Sequence, residues 1–288
     1  MKNLLQIEFA VPDSRVDDVT VYLTENAPHG WQEELVVDRE EVIFRVHFED
    51  TAAAQGVIQG LCAAWPDLVV NRATIEQQDW ATAWKEFFTP VEAGRFIVLP
   101  PWRADEAPED RIPIIIEPKT AFGTGHHGTT ALCLEAISNL AGEGTLTAGS
   151  SFFDLGTGSG ILGIGCCKLG LTGLGYDIDP LAIENAEENR AINGVAEEAF
   201  SLGTGSVDGP AAGERFDLMV ANILANPLKA MAPQIIDRVR PGGCLVLSGI
   251  LVEQGDAVAE VYMANGLGEP ERHSSKEWIV LIWRGVNR

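Results

Sequence analysis

At 288 residues the chain can hold one large domain or two, and its 46% apolar fraction is enough to build a core. No run of about 18 apolar residues occurs, so no membrane span is expected. The start, Met1-Lys-Asn-Leu-Leu-Gln-Ile-Glu-Phe9, lacks the apolar run of a signal peptide, and a cytoplasmic protein is expected. The formal charge of −22, with a pI near 4.5, opposes direct nucleic-acid binding and would draw in a basic partner, although solubility alone is the plainer reading. The five cysteines (Cys62, Cys133, Cys166, Cys167, Cys244) sit in apolar runs without metal-ligand spacing and read as reduced core thiols.

In chain order, residues 3–11 alternate loosely and predict a strand. A helix is expected from Pro12 and Asp13 through Glu25, then strands at 31–38 and 42–48. Asp50 would cap a second helix ending before Pro66, and a strand at about 68–75 follows. This β-α-β-β-α-β order predicts a small ferredoxin-like α+β domain over residues 1–77, without catalytic residues, that serves recognition or docking. His29 and Trp31 in it read as a turn residue and a core anchor. Residues 78–100 are read as a linker: an amphipathic helix at 79–88 carrying Trp80, Trp84, Phe87 and Phe88, then a strand at 95–99. A charged surface loop is expected at 103–111 and a strand at 112–117.

Two stretches stand out in residues 101–288. The first, Pro118-Lys-Thr-Ala-Phe-Gly-Thr-Gly-His-His-Gly-Thr-Thr130, is a glycine-rich loop before a helix capped by Thr129 and Thr130 and running to about Leu140. Adjacent His126 and His127, with no second ligand cluster, favour loop or substrate contact over metal, and no metal site is expected. The second is Ser151-Phe-Phe-Asp-Leu-Gly-Thr-Gly-Ser-Gly-Ile-Leu-Gly163, which predicts a buried strand, a tight glycine turn and a helix over 161–169. A helix N-terminus behind such a turn offers unpaired N–H groups, which suits a ligand bearing an anionic or electron-rich group.

Beyond it, a strand at 172–177 ends on Asp177, and Asp179 caps a helix from Pro180 to about Asn193. Strands are expected at 197–202 and 215–221, then a helix to about Arg240. Next come a Pro241-Gly-Gly turn, a strand at 244–247 and a helix after Ser248-Gly249. An antiparallel hairpin at 268–272 and 278–283 closes the chain. The alternation predicts a doubly wound, mainly parallel, Rossmann-like α/β sheet.

Ligands of such sheets sit beyond the strand carboxyl ends near the switch point. Asp177 lies 21 residues after Gly156, a spacing that suits a carboxylate accepting from both ribose hydroxyls. The turn reads GxGxG, which is neither the dinucleotide fingerprint GxGxxG nor a P-loop. Asp154, at the strand end, favours a cationic ligand over pyrophosphate. S-adenosylmethionine, with a ribose, an ammonium and a sulfonium but no phosphate, meets these demands.

Asp154-Leu-Gly-Thr-Gly-Ser-Gly160 with Tyr176-Asp-Ile-Asp-Pro180 resembles the Rossmann-like S-adenosylmethionine-dependent methyltransferases. Ala121-Phe-Gly-Thr-Gly-His-His-Gly-Thr-Thr130 and Asn222-Ile-Leu-Ala225 narrow the resemblance to the PrmA-type methyltransferases of ribosomal protein L-eleven, over about residues 79–283. Many relatives have another residue where Gly128 stands and Thr where His126 stands. The resemblance implies S-adenosylmethionine as cofactor, with contacts from Thr130, Gly156, Gly158, Asp177 and Asn222 and with Phe122 closing the loop over it. It also implies a monomeric enzyme that methylates amino groups of a large-subunit ribosomal protein: lysine side chains, with the N-terminal amine a further candidate. The residues show no dedicated catalytic base. A methyltransferase of another protein lysine, a glutamine methyltransferase, a nicotinamide oxidoreductase and a non-enzymatic ribosome-binding module are the competing readings. The glutamine branch carries Asn-Pro-Pro-Tyr where this chain has Asn222-Ile-Leu-Ala225.

Overall fold

The computed structural model describes residues 3–27, 31–36, 41–48, 51–76, 89–118 and 128–287. It divides into two compact units, Met1–Phe87 and Phe88–Arg288. Asp50, His29, the expected helix at 79–88, and the loop residues Phe122, His126 and His127 lie outside the described residues.

The first unit runs β1 (Asn3–Pro12), α1 (Val16–Asn26), β2 (Trp31–Val36), β3 (Glu41–Phe48), α2 (Thr51–Ala64) and β4 (Asn71–Glu76). Its four strands form an antiparallel sheet in the order β2-β3-β1-β4. Strict alternation along β3 buries Val42, Phe44, Val46 and Phe48 on one face, the period-2 pattern of a half-buried strand. Phe44 stacks on Phe9 at 5.5 Å between ring centroids. The last strand starts at Asn71 rather than near Leu68, because the Leu68 amide donates to the Trp65 carbonyl in the turn that closes α2.

The second unit opens with a three-stranded sheet, β5 (Val91–Ala93), β6 (Phe96–Leu99) and β7 (Ile112–Ile115). The charged stretch expected as plain loop contains a 3-10 turn, Pro101–Glu106, braced by an Arg103–Glu106 ion pair at 2.6 Å. The elements that follow are α3 (Gly128–Gly142), β8 (Ser151–Leu155), α4 (Ile161–Lys168), β9 (Thr172–Asp177), α5 (Pro180–Ile192), β10 (Phe200–Thr204) and β11 (Phe216–Asn222). Then come α6 (Ala225–Ala230), α7 (Ala232–Asp237), β12 (Val239–Leu251), α8 (Gly255–Ala264), β13 (Glu271–Ser275) and β14 (Trp278–Val286).

Seven of these strands form one sheet in the order β10-β9-β8-β11-β12-β14-β13. The first five are parallel, and β14 and β13 add an antiparallel edge. Strands buried on both faces need continuous apolar runs, and β8 and β11 are of this kind. Phe152 packs into the core on one face of the sheet and Phe153 into the core on the other. Helices α3 and α4 cover the first face, and α6, α7 and α8 cover the second. The chain steps outward from β8 to β9 to β10, then returns to β11 on the other side of β8, so the switch point lies between β8 and β11.

Three expected elements differ. The helix drawn to Arg240 is two short helices meeting at Met231, where Pro233 enters the first turn of α7 and supplies no N–H to continue the earlier helix. The Pro241-Gly-Gly segment lies inside β12 as a register shift, and the strand runs on through Ser248 and Gly249 to Leu251 because β14 pairs with it that far. The third parallel strand starts at Phe200, after a turn closed by Ala199 and Phe200 amides on the Ala196 carbonyl.

Candidate functional site

The glycine turn after β8 is built by backbone geometry. Gly156, Gly158 and Gly160 all have positive φ (72°, 54° and 79°), a region where side chains are costly. Gly156 also leaves room for Ile223, since a Cβ there would lie 2.3 Å from Ile223 Cγ2. Asp179 caps α5 as expected, accepting from the Leu181 amide at 2.9 Å.

Four amides of the turn itself are taken up within the protein. Gly156 and Thr157 donate to the Tyr176 carbonyl at 2.8 and 3.0 Å, and Gly160 donates to the Thr157 carbonyl at 2.9 Å. Gly158 donates to Asp177 Oδ2 at 2.9 Å. These four N–H groups are satisfied by the protein, so a pyrophosphate finds no cradle in them. The geometry therefore counts against the nicotinamide dinucleotide reading.

Asp154 has a different place from the one its sequence position suggested. It is fully buried and does not line the cleft. Its Oδ2 accepts from Thr157 Oγ1 at 2.7 Å and from the Gly163 amide at 3.2 Å, tying the crest of the turn to the first turn of α4. Oδ1 has no partner among the described residues. Burial pushes its pKa up to about 7, against the lowering effect of the two hydrogen bonds, and Asp177 nearby raises it further. The unfolded carboxyl titrates near 3.9, so between about pH 4 and 7 the folded state holds the proton more tightly and stability falls as pH rises. Asp154→Asn keeps an acceptor for Thr157 and Gly163 without this cost. Its stability relative to wild type should grow by at most about 1.4 kcal/mol per pH unit across that window. Thermal melts from pH 5 to 8 check this; a difference that does not change with pH contradicts it.

A cleft of about 760 Å³ opens at the carboxyl ends of β8, β9 and β11, beside the switch point. Its volume suits a small-molecule site, for which about 300–1,000 Å³ is usual. The walls are mainly apolar, with Ile161, Leu162, Ile178, Ile223, Leu224 and Met231 among them. Thr130, Gly156, Gly158, Asp177 and Asn222 all reach it, from α3, the glycine turn, β9 and β11. Phe122 lies outside the described residues.

Asp177 is half-buried and holds the Gly158 and Asp179 amides, one on each oxygen, at 2.9 and 3.0 Å. Each carboxylate oxygen has further acceptor capacity. Thr130 is fully buried in the first turn of α3, and Asn222 Nδ2 reaches its Oγ1 at 3.4 Å. Asn222 Oδ1 is buried without a hydrogen-bond partner among the described residues. At the wall of the cleft, this oxygen has acceptor capacity for a bound molecule. The residues thus fit a ribose-bearing, phosphate-free cofactor with donor groups and an apolar body.

Several lining residues were not singled out from the sequence. Trp278 comes from the first residue of β14, and Gly205 and Ser206 follow β10. Only the sheet order brings these segments to the cleft, so spacing along the chain carries no sign of them. Ile223 and Leu224, by contrast, belong to the Asn222-Ile-Leu-Ala225 stretch that the sequence does single out; Leu224 is 73% exposed.

A family model described as ribosomal protein L11 methyltransferase (PrmA) matches residues 10–285. The protein of that name from Geotalea uraniireducens is 37% identical over 283 residues, covering 95% of this chain and 84% of its own length. The one from Thermus thermophilus is 39% identical over 209 residues, covering 73% and 78%. A crystal structure of ribosomal protein L11 methylase from Lactobacillus delbrueckii subsp. bulgaricus is 31% identical, with a TM-score of 0.60, and covers 68% of this chain and 99% of that one. The mixed α/β sheet, the glycine turn and these matches agree: the chain belongs to the ribosomal protein L11 methyltransferase family, and it is a Rossmann-like S-adenosylmethionine-dependent protein methyltransferase.

Proposed function

We propose that the enzyme methylates lysine side chains of the large-subunit ribosomal protein L-eleven, and that the cleft around Asp177 and Asn222 is where it does so. The observation that carries the site assignment is the buried Oδ1 of Asn222 at the end of β11, which has no hydrogen-bond partner among the described residues. The substrate assignment rests on the family and on a strongly acidic chain that would attract a basic ribosomal protein.

Within the cleft, Asp177 accepts from the ribose hydroxyls, and Gly156 and Gly158 let the backbone approach the cofactor closely. Thr130, in the first turn of α3, lies at the positive end of a helix dipole and suits the methionine carboxylate. S-adenosylmethionine supplies an activated methyl on a sulfonium. The protein's task is then to position a neutral amine and exclude water. Asn222 Oδ1 and the backbone carbonyls that follow it accept the N–H groups of the incoming amine. That leaves the nitrogen lone pair free to face the methyl. A lysine ammonium titrates near 10.4, so its proton must leave first, to water, since the described residues that line the cleft include no dedicated base.

We read residues 1–77 as a ferredoxin-like substrate-recognition domain, on the grounds of its β-α-β-β-α-β order and antiparallel strand order β2-β3-β1-β4. Residues 78–100 are read as the linker, residues 101–288 as the methyltransferase domain, and the enzyme as a cytoplasmic monomer. Mass spectrometry of ribosomal proteins from cells with and without this enzyme tests the substrate. Whole methyl increments on lysines of L-eleven should vanish when the enzyme is absent; an unchanged L-eleven with increments lost from another protein refutes the assignment.

A further inference from the structure

Helix α5 carries Asn185, Asn189 and Asn193 at its end, spaced four apart and therefore along one face. Asparagine is a poor choice inside a helix, so buried Asn185 and Asn189 ask for a reason; Asn193 is half-buried and caps the helix end. Asn193 treats Ile115 as a neighbouring strand would. Its Oδ1 accepts the Ile115 amide at 2.9 Å, and its Nδ2 donates to the Ile115 carbonyl at 2.6 Å. One helical turn back, Asn189 is fully buried and does something different. Its Oδ1 accepts the Glu117 amide at 2.9 Å, and its Nδ2 donates to the Ser159 carbonyl at 2.9 Å. Glu117 precedes the glycine-rich segment that leads to Thr130, and Ser159 sits between Gly158 and Gly160 in the cofactor turn.

We propose that Asn189 is a positioning residue for cofactor binding: one buried amide holds the glycine turn in register with the chain that enters the glycine-rich segment. This inference rests on the cofactor site proposed above. The physical ground is that Asn189 uses both ends of its amide on backbone groups far apart in sequence, each without slack. A shift of the turn at Ser159 is therefore felt at Glu117, and the reverse. Asn193 pegs the same stretch without touching the turn, so it provides the contrast.

The test uses three variants of the full chain. Asn189→Leu removes both bonds, Asn189→Asp keeps the acceptor for Glu117 but loses the donor to Ser159, and Asn193→Leu removes the peg at Ile115 together with the Nδ2 bond to the Asn189 carbonyl at 2.8 Å, leaving both side-chain bonds of Asn189 in place. Calorimetry with S-adenosylhomocysteine should show Kd raised about tenfold in both Asn189 variants, as expected when a buried hydrogen bond next to a site is lost. Asn193→Leu should lower the thermal midpoint and leave Kd within about twofold of wild type. Hydrogen exchange at the Glu117 amide should slow on cofactor binding in the wild type and lose that response in Asn189→Leu, a readout that a merely structural residue would not move. Unchanged Kd in Asn189→Asp overturns the proposal, as does an equal loss in Asn193→Leu; if Asn189→Leu fails to fold, Asn189→Asp decides. A wild type that does not bind the probe overturns the cofactor site as well, whereas tight wild-type binding with unaffected Asn189 variants overturns this inference alone.

Discussion

Asp177→Ala should weaken S-adenosylmethionine binding about a hundredfold. In the proposed site the carboxylate at the end of β9 accepts from two ribose hydroxyls, and hydrogen bonds to a charged acceptor contribute about 1.5–3 kcal/mol each. A loss near 3 kcal/mol corresponds to about two decades in Kd. The same side chain also holds the Gly158 and Asp179 amides, so its removal loosens the glycine turn along with the ribose contact. Asp177→Asn retains one good acceptor and should lose about tenfold. Calorimetric titration with S-adenosylhomocysteine measures both. Binding within about threefold of wild type in Asp177→Ala would remove this residue from the site.

The second large effect is expected at Gly249, which also lines the cleft. This residue sits in β12 with φ of +81°, beside the backbone of Ile223. A Cβ there would lie 2.3 Å from the Ile223 carbonyl oxygen, 2.7 Å from its carbonyl carbon and 2.9 Å from its nitrogen. Backbone cannot swing aside as a flexible side chain can, so Gly249→Ala must displace the segment that carries Asn222. Left-handed backbone at a residue with a Cβ costs a further ~1–2 kcal/mol. Misplacement of a reacting group by about 1 Å can cost about a hundredfold in rate, and kcat should fall by that order. Cofactor Kd should change less than kcat, because Asp177 lies on another strand and the glycine turn meets this segment only through the Ile223 side chain at Gly156. Gly242→Ala is the control: Gly242 has a similar φ of +84°, but a Cβ there meets nothing within 4 Å. It should lose stability and keep kcat. Steady-state kinetics of both variants separate the strain from the displacement; a Gly249→Ala enzyme with wild-type kcat would mean that the Asn222 segment does not set the transfer geometry.

Much of the α/β sheet was legible because its elements rest on local rules. The run Phe152-Phe153 before Gly156 needs a buried strand and a tight turn, and Asp179-Pro180 needs a helix start; both stand where the spacing put them. The antiparallel pair at the chain's end also followed from two β-runs with no helix between them. What failed depended on partners remote in sequence. Residues Ser248 to Leu251 continue β12 because β14 pairs with them, a fact that no local propensity records. Two short helices replaced one because the proline at 233 acts through a missing N–H rather than through the apolar pattern.

The site divides in the same way. Thr130, Gly156, Gly158, Asp177 and Asn222 each sit at the end of a strand or the start of a helix, and the switch-point rule gathers such ends in one cleft. Trp278 enters from the antiparallel edge, to which that rule does not apply. Asp154 was misread because a carboxylate beside a ligand-binding turn invites a ligand role. Its neighbours Thr157 and Gly163 leave it holding the turn together instead. Nothing in the sequence signals that the Tyr176 carbonyl, from the adjacent strand, takes two amides of the turn.

The central claim is that this chain moves a methyl group from S-adenosylmethionine to a lysine amine of ribosomal protein L-eleven. Incubation of the purified enzyme and purified L-eleven with methyl-labelled cofactor, followed by peptide mapping, measures it directly. Label should appear on lysine side chains of L-eleven, be absent with Asp177→Ala at low cofactor concentration, and be restored as cofactor is raised. A folded, cofactor-binding enzyme that leaves L-eleven unlabelled while labelling another ribosomal protein would contradict the claim.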